Sequence, residues 1–280
     1  MKKSLTQLLV HLDGSSRSAR RLAAARDIAQ THGAAVTVLY AVTPALLVVP
    51  FAPEAGPSVA EALGEIDEAR RTQARRVFDR SVATPGVHAA WADVQDYPIV
   101  PAFARQALYA DLLVLGQYDP SDTEAAGVPF DFVETVMATS GKPALVLPYA
   151  DIPSTGVGQT IVIAWKPTRE AARAVSAAVP LLQRARRVHV LSWGKEEESV
   201  TGARLDLDGY LKLRGVEPTW HREGEEPEFM GDLLLSRAFD MDADLLVMGC
   251  YGHSRAREWV LGGTSRTILQ SMTLPVLMAH

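Results

Sequence analysis

The chain contains itself twice, and this duplication constrains its fold more than any other feature. Ala110-Asp111-Leu112-Leu113-Val114-Leu115-Gly116-Gln117-Tyr118 returns as Ala243-Asp244-Leu245-Leu246-Val247-Met248-Gly249-Cys250-Tyr251, 133 residues further on. Self-similarity of this kind marks a repeated structural unit. The starts of the two copies also align: Leu9-Val10-His11-Leu12-Asp13-Gly14-Ser15 lies against Val162-Ile163-Ala164-Trp165-Lys166-Pro167-Thr168, 153 residues on. The two offsets differ by 20 residues, so the first copy carries extra chain in its middle, expected in the Pro- and Gly-bearing stretch from Pro44 to Pro57. Asp151 to Gly158 is rich in turn formers and reads as the linker. The expected domains are therefore 1–150 and 158–280.

Both copies show the same order of elements. A short apolar run (Leu8–Leu12; Ile161–Trp165) precedes a segment with apolar residues at helical spacing, carried by Leu22, Ala25, Ile28 and Ala29 in one copy and Ala171, Val175, Ala178 and Leu182 in the other. Runs rich in β-branched residues follow at Val36–Tyr40 and Val188–Ser192, then apolar runs at Leu112–Leu115 and Leu245–Met248, and last at Ala144–Leu147 and Val276–Met278. Continuously apolar strands alternating with helices predict an α/β fold with a parallel sheet covered on both faces. Ligands of such sheets sit beyond the carboxyl ends of the strands. The residues after Leu12, Trp165, Leu115 and Met248 therefore carry the functional information. Pro180, inside the predicted helix of the second copy, is expected to kink it.

Composition narrows the partners. With 28 Lys and Arg against 33 Asp and Glu, the net charge is −5, which argues against a general nucleic-acid binder. No apolar run approaches membrane-spanning length, and the amino end lacks the apolar stretch of a signal peptide. Cys250 is the only cysteine, so no internal disulfide and no cysteine-based zinc site can form, and a reducing, cytoplasmic setting is expected.

After the fourth strand of the second copy the sequence reads Gly249-Cys250-Tyr251-Gly252, nine residues, then Gly262-Gly263-Thr264-Ser265. Glycines let backbone N–H groups approach an anion, and a helix beginning at Thr264 and Ser265 would add unpaired amides and the positive end of a dipole. Phosphate is the natural guest. His253, Arg255 and Arg257 could close over it, or simply form a solvated helix face above Trp259, Val260 and Leu261. Cys250 is weighed as a redox sensor against an inert thiol.

This pattern, with the ending Met272-Thr273-Leu274-Pro275-Val276-Leu277-Met278, resembles the universal stress protein family, whose ATP-binding members carry Gly-x2-Gly-x9-Gly followed by Ser or Thr. The resemblance covers nearly the whole chain as two tandem copies. It implies two doubly wound, five-stranded parallel domains, adenine nucleotide alpha hydrolase-like, paired as an intramolecular pseudo-dimer that is monomeric or forms homodimers. It also implies phosphate contacts at Gly249, Gly252, His253, Arg255, Gly262, Gly263, Thr264 and Ser265. The nucleoside would lie near Ala164, Trp165, Lys166 and Met248, and the ligand would be ATP with or without Mg2+.

Each copy keeps one part of the family site and loses the other. In the first copy the glycine loop becomes Gln117-Tyr118-Asp119-Pro120-Ser121-Asp122-Thr123-Glu124, whose carboxylates would repel a polyphosphate. That copy retains Asp13-Gly14-Ser15, resembling the family's usual Asp-Gly-Ser, although Asp13 alone reads as a turn or helix-cap residue. The second copy has Lys166-Pro167-Thr168 in that place. The expected function is stress-linked binding of an adenine nucleotide that alters contact with an unidentified protein partner. Two alternatives stand beside it: a scaffold that has lost nucleotide, and a weak enzyme hydrolysing ATP or transferring AMP. No water-activating base, catalytic triad or metal-ligand spacing is legible. The acidic runs Glu196–Glu198 and Glu223–Glu228 read as solvated loops rather than cation ligands.

Overall fold

The computed structural model describes residues 5–50, 56–150, 156–194, 203, 205–225, 227–250 and 263–280. The chain divides into two compact units, Met1–Tyr149 and Ala150–His280. In unit 1 the strands are β1 (Gln7–Leu12), β2 (Ala35–Tyr40), β3 (Ala89–Asp93), β4 (Leu112–Gly116) and β5 (Ala144–Leu147). The helices are α1 (Ser18–His32), α2 (Ala45–Val48), α3 (Pro57–Ala83), α4 (Ile99–Ala107) and α5 (Phe132–Ser140). Unit 2 repeats the plan with β6 (Thr160–Trp165), α6 (Arg169–Leu182), β7 (Arg187–Trp193), α7 (Leu207–Lys212), β8 (Thr219–Glu223), α8 (Met230–Asp240), β9 (Leu245–Gly249), α9 (Thr264–Ser271) and β10 (Val276–Ala279).

All pairings within each unit are parallel, in the order β3-β2-β1-β4-β5 and, equivalently, β8-β7-β6-β9-β10. The central strands are buried on both faces. Leu8, Val10, Leu113, Val114, Ile161, Val162, Ile163, Leu245 and Val247 are all fully buried. Such runs stabilise a sheet only when helices cover both sides, at about 25 cal/mol per Å2 of apolar surface removed from water. The doubly wound parallel fold read from the sequence is the fold observed.

The repeated Ala-Asp step has a structural role. Asp111 Oδ2 accepts hydrogen bonds from the amides of Thr6 and Gln7 at 2.7 and 2.9 Å, while Asp244 accepts from the amides of Gly158, Gln159 and Thr160 at 2.9 to 3.1 Å. In each unit this carboxylate, placed just before the fourth strand, clamps the entry of the first. The register of the sheet at its centre is thereby fixed by one side chain.

The extra chain of the first copy is only partly where Pro44 to Pro57 suggested. That stretch holds α2, but the main difference lies in α3, a 27-residue helix where unit 2 has the six-residue α7. Pro180 does not end α6, which continues through it to Leu182.

Candidate functional site

In each unit the strand order reverses between the first strand and the fourth, and this switch point is where a parallel sheet opens a crevice. It lies beside Asp13 and Gly116 in unit 1, and beside Lys166 and Gly249 in unit 2.

The unit 1 crevice is filled by the protein itself. Arg21, on the second turn of α1 and 3% exposed, reaches back under the end of β1. Its Nη2 donates to Asp13 Oδ1 at 2.6 Å, Ser15 Oγ at 2.8 Å and Ser18 Oγ at 2.9 Å. Asp13 Oδ1 also accepts from the Ser15 amide and the Ser18 hydroxyl, at 2.9 and 2.8 Å. Arg21 Nη1 stands 3.1 Å from His11 Nδ1, and His11 Nε2 is 2.9 Å from the Ala41 carbonyl. Because a guanidinium can only donate, Nδ1 is the acceptor and the Nε2–H donates to Ala41. His11 is therefore neutral, with its ring against Phe132 and Phe103 at 4.4 and 5.7 Å.

Protonation equilibria follow from this enclosure. Burial lowers His11 to about 4; Asp13 opposes that shift and Arg21 reinforces it. Burial alone would push the Asp13 carboxyl up, but the Arg21 guanidinium and the hydrogen bonds from Ser15 and Arg21 hold it well below the usual carboxylate range. A buried charge is tolerated when paired and hydrogen-bonded. Asp13 is thus neither a simple cap nor a carboxylate left open to a ligand.

The acidic loop completes the closure. Asp119 accepts from the Ser121 amide and hydroxyl at 2.9 and 2.6 Å and lies 3.7 Å from Arg17 Nη2. Arg70, from α3, donates to the Thr123 carbonyl, and the Thr43 amide donates to the Gly127 carbonyl. A Cβ on Gly14 would stand 2.9 Å from the Glu124 carbonyl oxygen. One on Gly116 would stand 3.0 Å from Arg21 Nη1. The loop carboxylates were expected to repel phosphate; the more basic obstacle is that side chains and loop already occupy the space.

Unit 2 lacks every member of this network. At the 153-residue offset, His11, Asp13, Ser15, Ser18 and Arg21 become Ala164, Lys166, Thr168, Ala171 and Ala174. The burial patterns of α1 and α6 agree with this alignment, Ala171 and Ala174 being buried as Ser18 and Arg21 are. Without an arginine to accommodate, α6 closes on β9. A Cβ on Gly249 would lie 2.4 Å from the Ala171 nitrogen and 2.9 Å from Glu170 Cβ. Thr168 caps the helix by accepting from the Ala171 amide at 3.3 Å. Glu170, 3% exposed, pairs with the Arg169 Nε. Burial would raise its carboxyl, yet the bond from Arg169, its own amide and the nearby charges of Arg169 and His280 hold it below the ordinary range.

The nucleoside-side candidates Ala164, Trp165, Lys166 and Met248 do meet at one strand end, since Ala164 pairs in register with Met248. Lys166 is exposed. The Trp165 indole N–H is buried and has no acceptor among the described residues. On the phosphate side, Gly263 occupies the N-cap of α9, with Thr264 and Ser265 in its first turn. Gly252, His253, Arg255, Arg257 and Gly262 lie outside the described residues, as do Glu196–Glu198. The Cys250 side chain is buried, 1% exposed, and its amide donates to the Ala279 carbonyl at 2.9 Å. Among the described residues no cluster of three metal-ligating side chains occurs, and no helix is long and apolar enough to cross a membrane.

What sequence reasoning missed is Arg21. An arginine in an amphipathic helix reads as solvated, although the position of Arg21 one residue before Leu22 in the buried stripe was a visible signal.

Comparison with known proteins agrees with this geometry. The sequence model of the universal stress protein family matches residues 158–280. No curated protein matches the chain in sequence. Among solved structures, a universal stress protein from Archaeoglobus fulgidus DSM 4304 superposes with a TM-score of 0.69 at 16% identity, covering 99% of this chain and 96% of that one. A protein of unknown function from Pseudomonas aeruginosa PAO1 superposes with a TM-score of 0.59 at 15% identity, covering 98% and 92%. These likenesses extend the fold over both halves. The match to the universal stress protein family covers the second half of the chain, and the first half repeats the fold of that half.

Proposed function

We propose that the chain binds one adenine nucleotide, at the strand ends of unit 2, and that occupancy alters its contact with a protein partner under stress. The observation that carries this reading is the helix start at Gly263. A residue without a side chain caps α9 directly behind the glycine-spaced loop, so no cap hydroxyl competes for the first-turn amides that would face a phosphate. The buried Trp165 N–H offers a donor at the end of β6, on the nucleoside side. Gly249, Gly252, Gly262, Gly263, Thr264 and Ser265 would hold the phosphates, with His253 and Arg255 closing over them, and a bound Mg2+ would neutralise part of their charge. Glu170 does not oppose them as a bare anion, because Arg169 already pairs with it.

A ligand alters a partner contact only if the two loop states bind it with different affinity. The loop linking β9 to α9 is the element such occupancy would bias. The scaffold reading draws on a different observation: Gly249 is explained by the approach of α6 alone, without a ligand. Calorimetric titration separates the two. Wild type is expected to bind ATP, and Gly252→Asp or Gly262→Asp to lose at least about 100-fold in affinity with the fold intact, because a carboxylate would face the phosphates at close range. Equal binding by wild type and both variants would show the loop to be wrongly assigned, and no binding by wild type would favour the scaffold.

A further inference from the structure

Helix α3 is far longer than unit 1 needs. Of its 27 residues only Ala74 and Phe78 are buried, packed with Tyr40 and Trp91 at the edge of the sheet. The inward stripe runs through Leu63, Asp67, Arg70, Ala74, Phe78 and Ser81, and the opposite face is exposed apart from the half-buried Thr72. A helix with so little apolar contact is held by few interactions of its own, and an open face about 40 Å long is available to a partner.

The charges on α3 are segregated. Glu61, Glu65, Asp67 and Glu68 lie in its first half, and Arg70, Arg71, Arg75, Arg76 and Arg80 in its second, with Asp79 the only acid among them. Several are already engaged: Asp67 accepts from the Ala45 amide, Arg71 pairs with Asp93 at 3.0 Å, and Arg75 pairs with Asp79 at 3.0 Å. Glu65 and Arg76 point outward and are exposed. They stand symmetrically about the middle of the helix, between Arg70 and Arg71. The same outward face carries Glu61, Glu68, Asp79 and Arg80, with the small residues Ser58, Ala62, Ala69, Thr72 and Ala83 between them.

From this charge pattern we infer that α3 is the docking surface for a second copy of the chain, packed antiparallel across a two-fold axis near its midpoint. In that arrangement the acidic half of each helix faces the basic half of the other, and Glu65 meets Arg76 of the second copy twice by symmetry. A parallel arrangement would set like charges together. This inference does not depend on nucleotide binding.

Sedimentation velocity on the full chain tests it. Wild type is expected to dimerise, more weakly at high salt. Glu65→Arg and Arg76→Glu, each reversing two contacts per dimer, should raise the dimer dissociation constant by about tenfold or more. The double variant Glu65→Arg/Arg76→Glu should regain wild-type association, with circular dichroism confirming unchanged helix content in all three. A wild type that stays monomeric, a dimer indifferent to both single reversals, or a double variant no better than the singles would overturn the proposal.

Discussion

The ends of β1 and β4 and the ends of β6 and β9 are the same place in two copies of one fold, yet their chemistry is opposite. In unit 1 a buried arginine, aspartate, histidine and two serines are hydrogen-bonded to one another, and a loop closes over them. In unit 2 the same positions hold alanines, a threonine and an exposed lysine, the helix lies close against Gly249, and the sequence after β9 is glycine-spaced. The backbone plan alone therefore does not decide how the crevice at the switch point is lined. Five side chains on the first strand and first helix decide whether the crevice is filled from within.

The comparison is broken most forcefully at Arg21. Arg21→Ala would leave Asp13 buried without its partner, and unit 1 is expected to lose about 3–5 kcal/mol, read from hydrogen exchange of the β1 and β4 amides, while the β6 and β9 amides keep their protection. A loss below about 1 kcal/mol would mean that the network does not hold Asp13.

Acid should separate the units next. His11 titrates near 6.5 when unfolded but at about 4 when folded, so the unfolded chain binds more protons between those values. Its contribution, on the order of 3 kcal/mol, is complete above pH 6.5 and is lost as pH falls toward 4. Asp13, depressed in the fold, adds a further loss below the ordinary carboxylate range of about 4. Urea unfolding of wild type at several pH values, set beside His11→Phe, reads this out. The variant should lose the loss between pH 6.5 and 4, and an unchanged profile would contradict the neutral buried imidazole.

The smallest contrast lies at the paired glycines. Gly249→Ala drives a methyl into the backbone of α6 and should cost about 1–3 kcal/mol. Gly116→Ala meets the side chain of Arg21, which can shift slightly, and should cost about 1 kcal/mol or less. Equal thermal shifts for the two variants would show that the helix approaches do not differ as described.

The duplication, the parallel sheets and the approximate limits of every strand except β3 and β8 were legible in the sequence because continuous apolar runs and helical spacing are local signals. Asp111 and Asp244 were visible as part of the repeat, but their clamp on the first strand was not, since it joins residues 84 to 105 positions apart. The filling of unit 1 was legible only as a hint of charge. Asp13, His11 and Arg21 become one network through the turn between β1 and α1, and a sequence pattern does not reveal which side of a helix an arginine chooses. The length of α3 was likewise hidden, because a mostly polar helix gives a weak apolar period.

Hydrogen exchange of the full chain with and without ATP tests the asymmetry most directly. Protection should rise from Gly249 through the first turn of α9 and at the end of β6, while the stretch 13–18 and the loop 117–127 stay unchanged. Protection appearing in unit 1, or in neither unit at saturating nucleotide, would contradict the account.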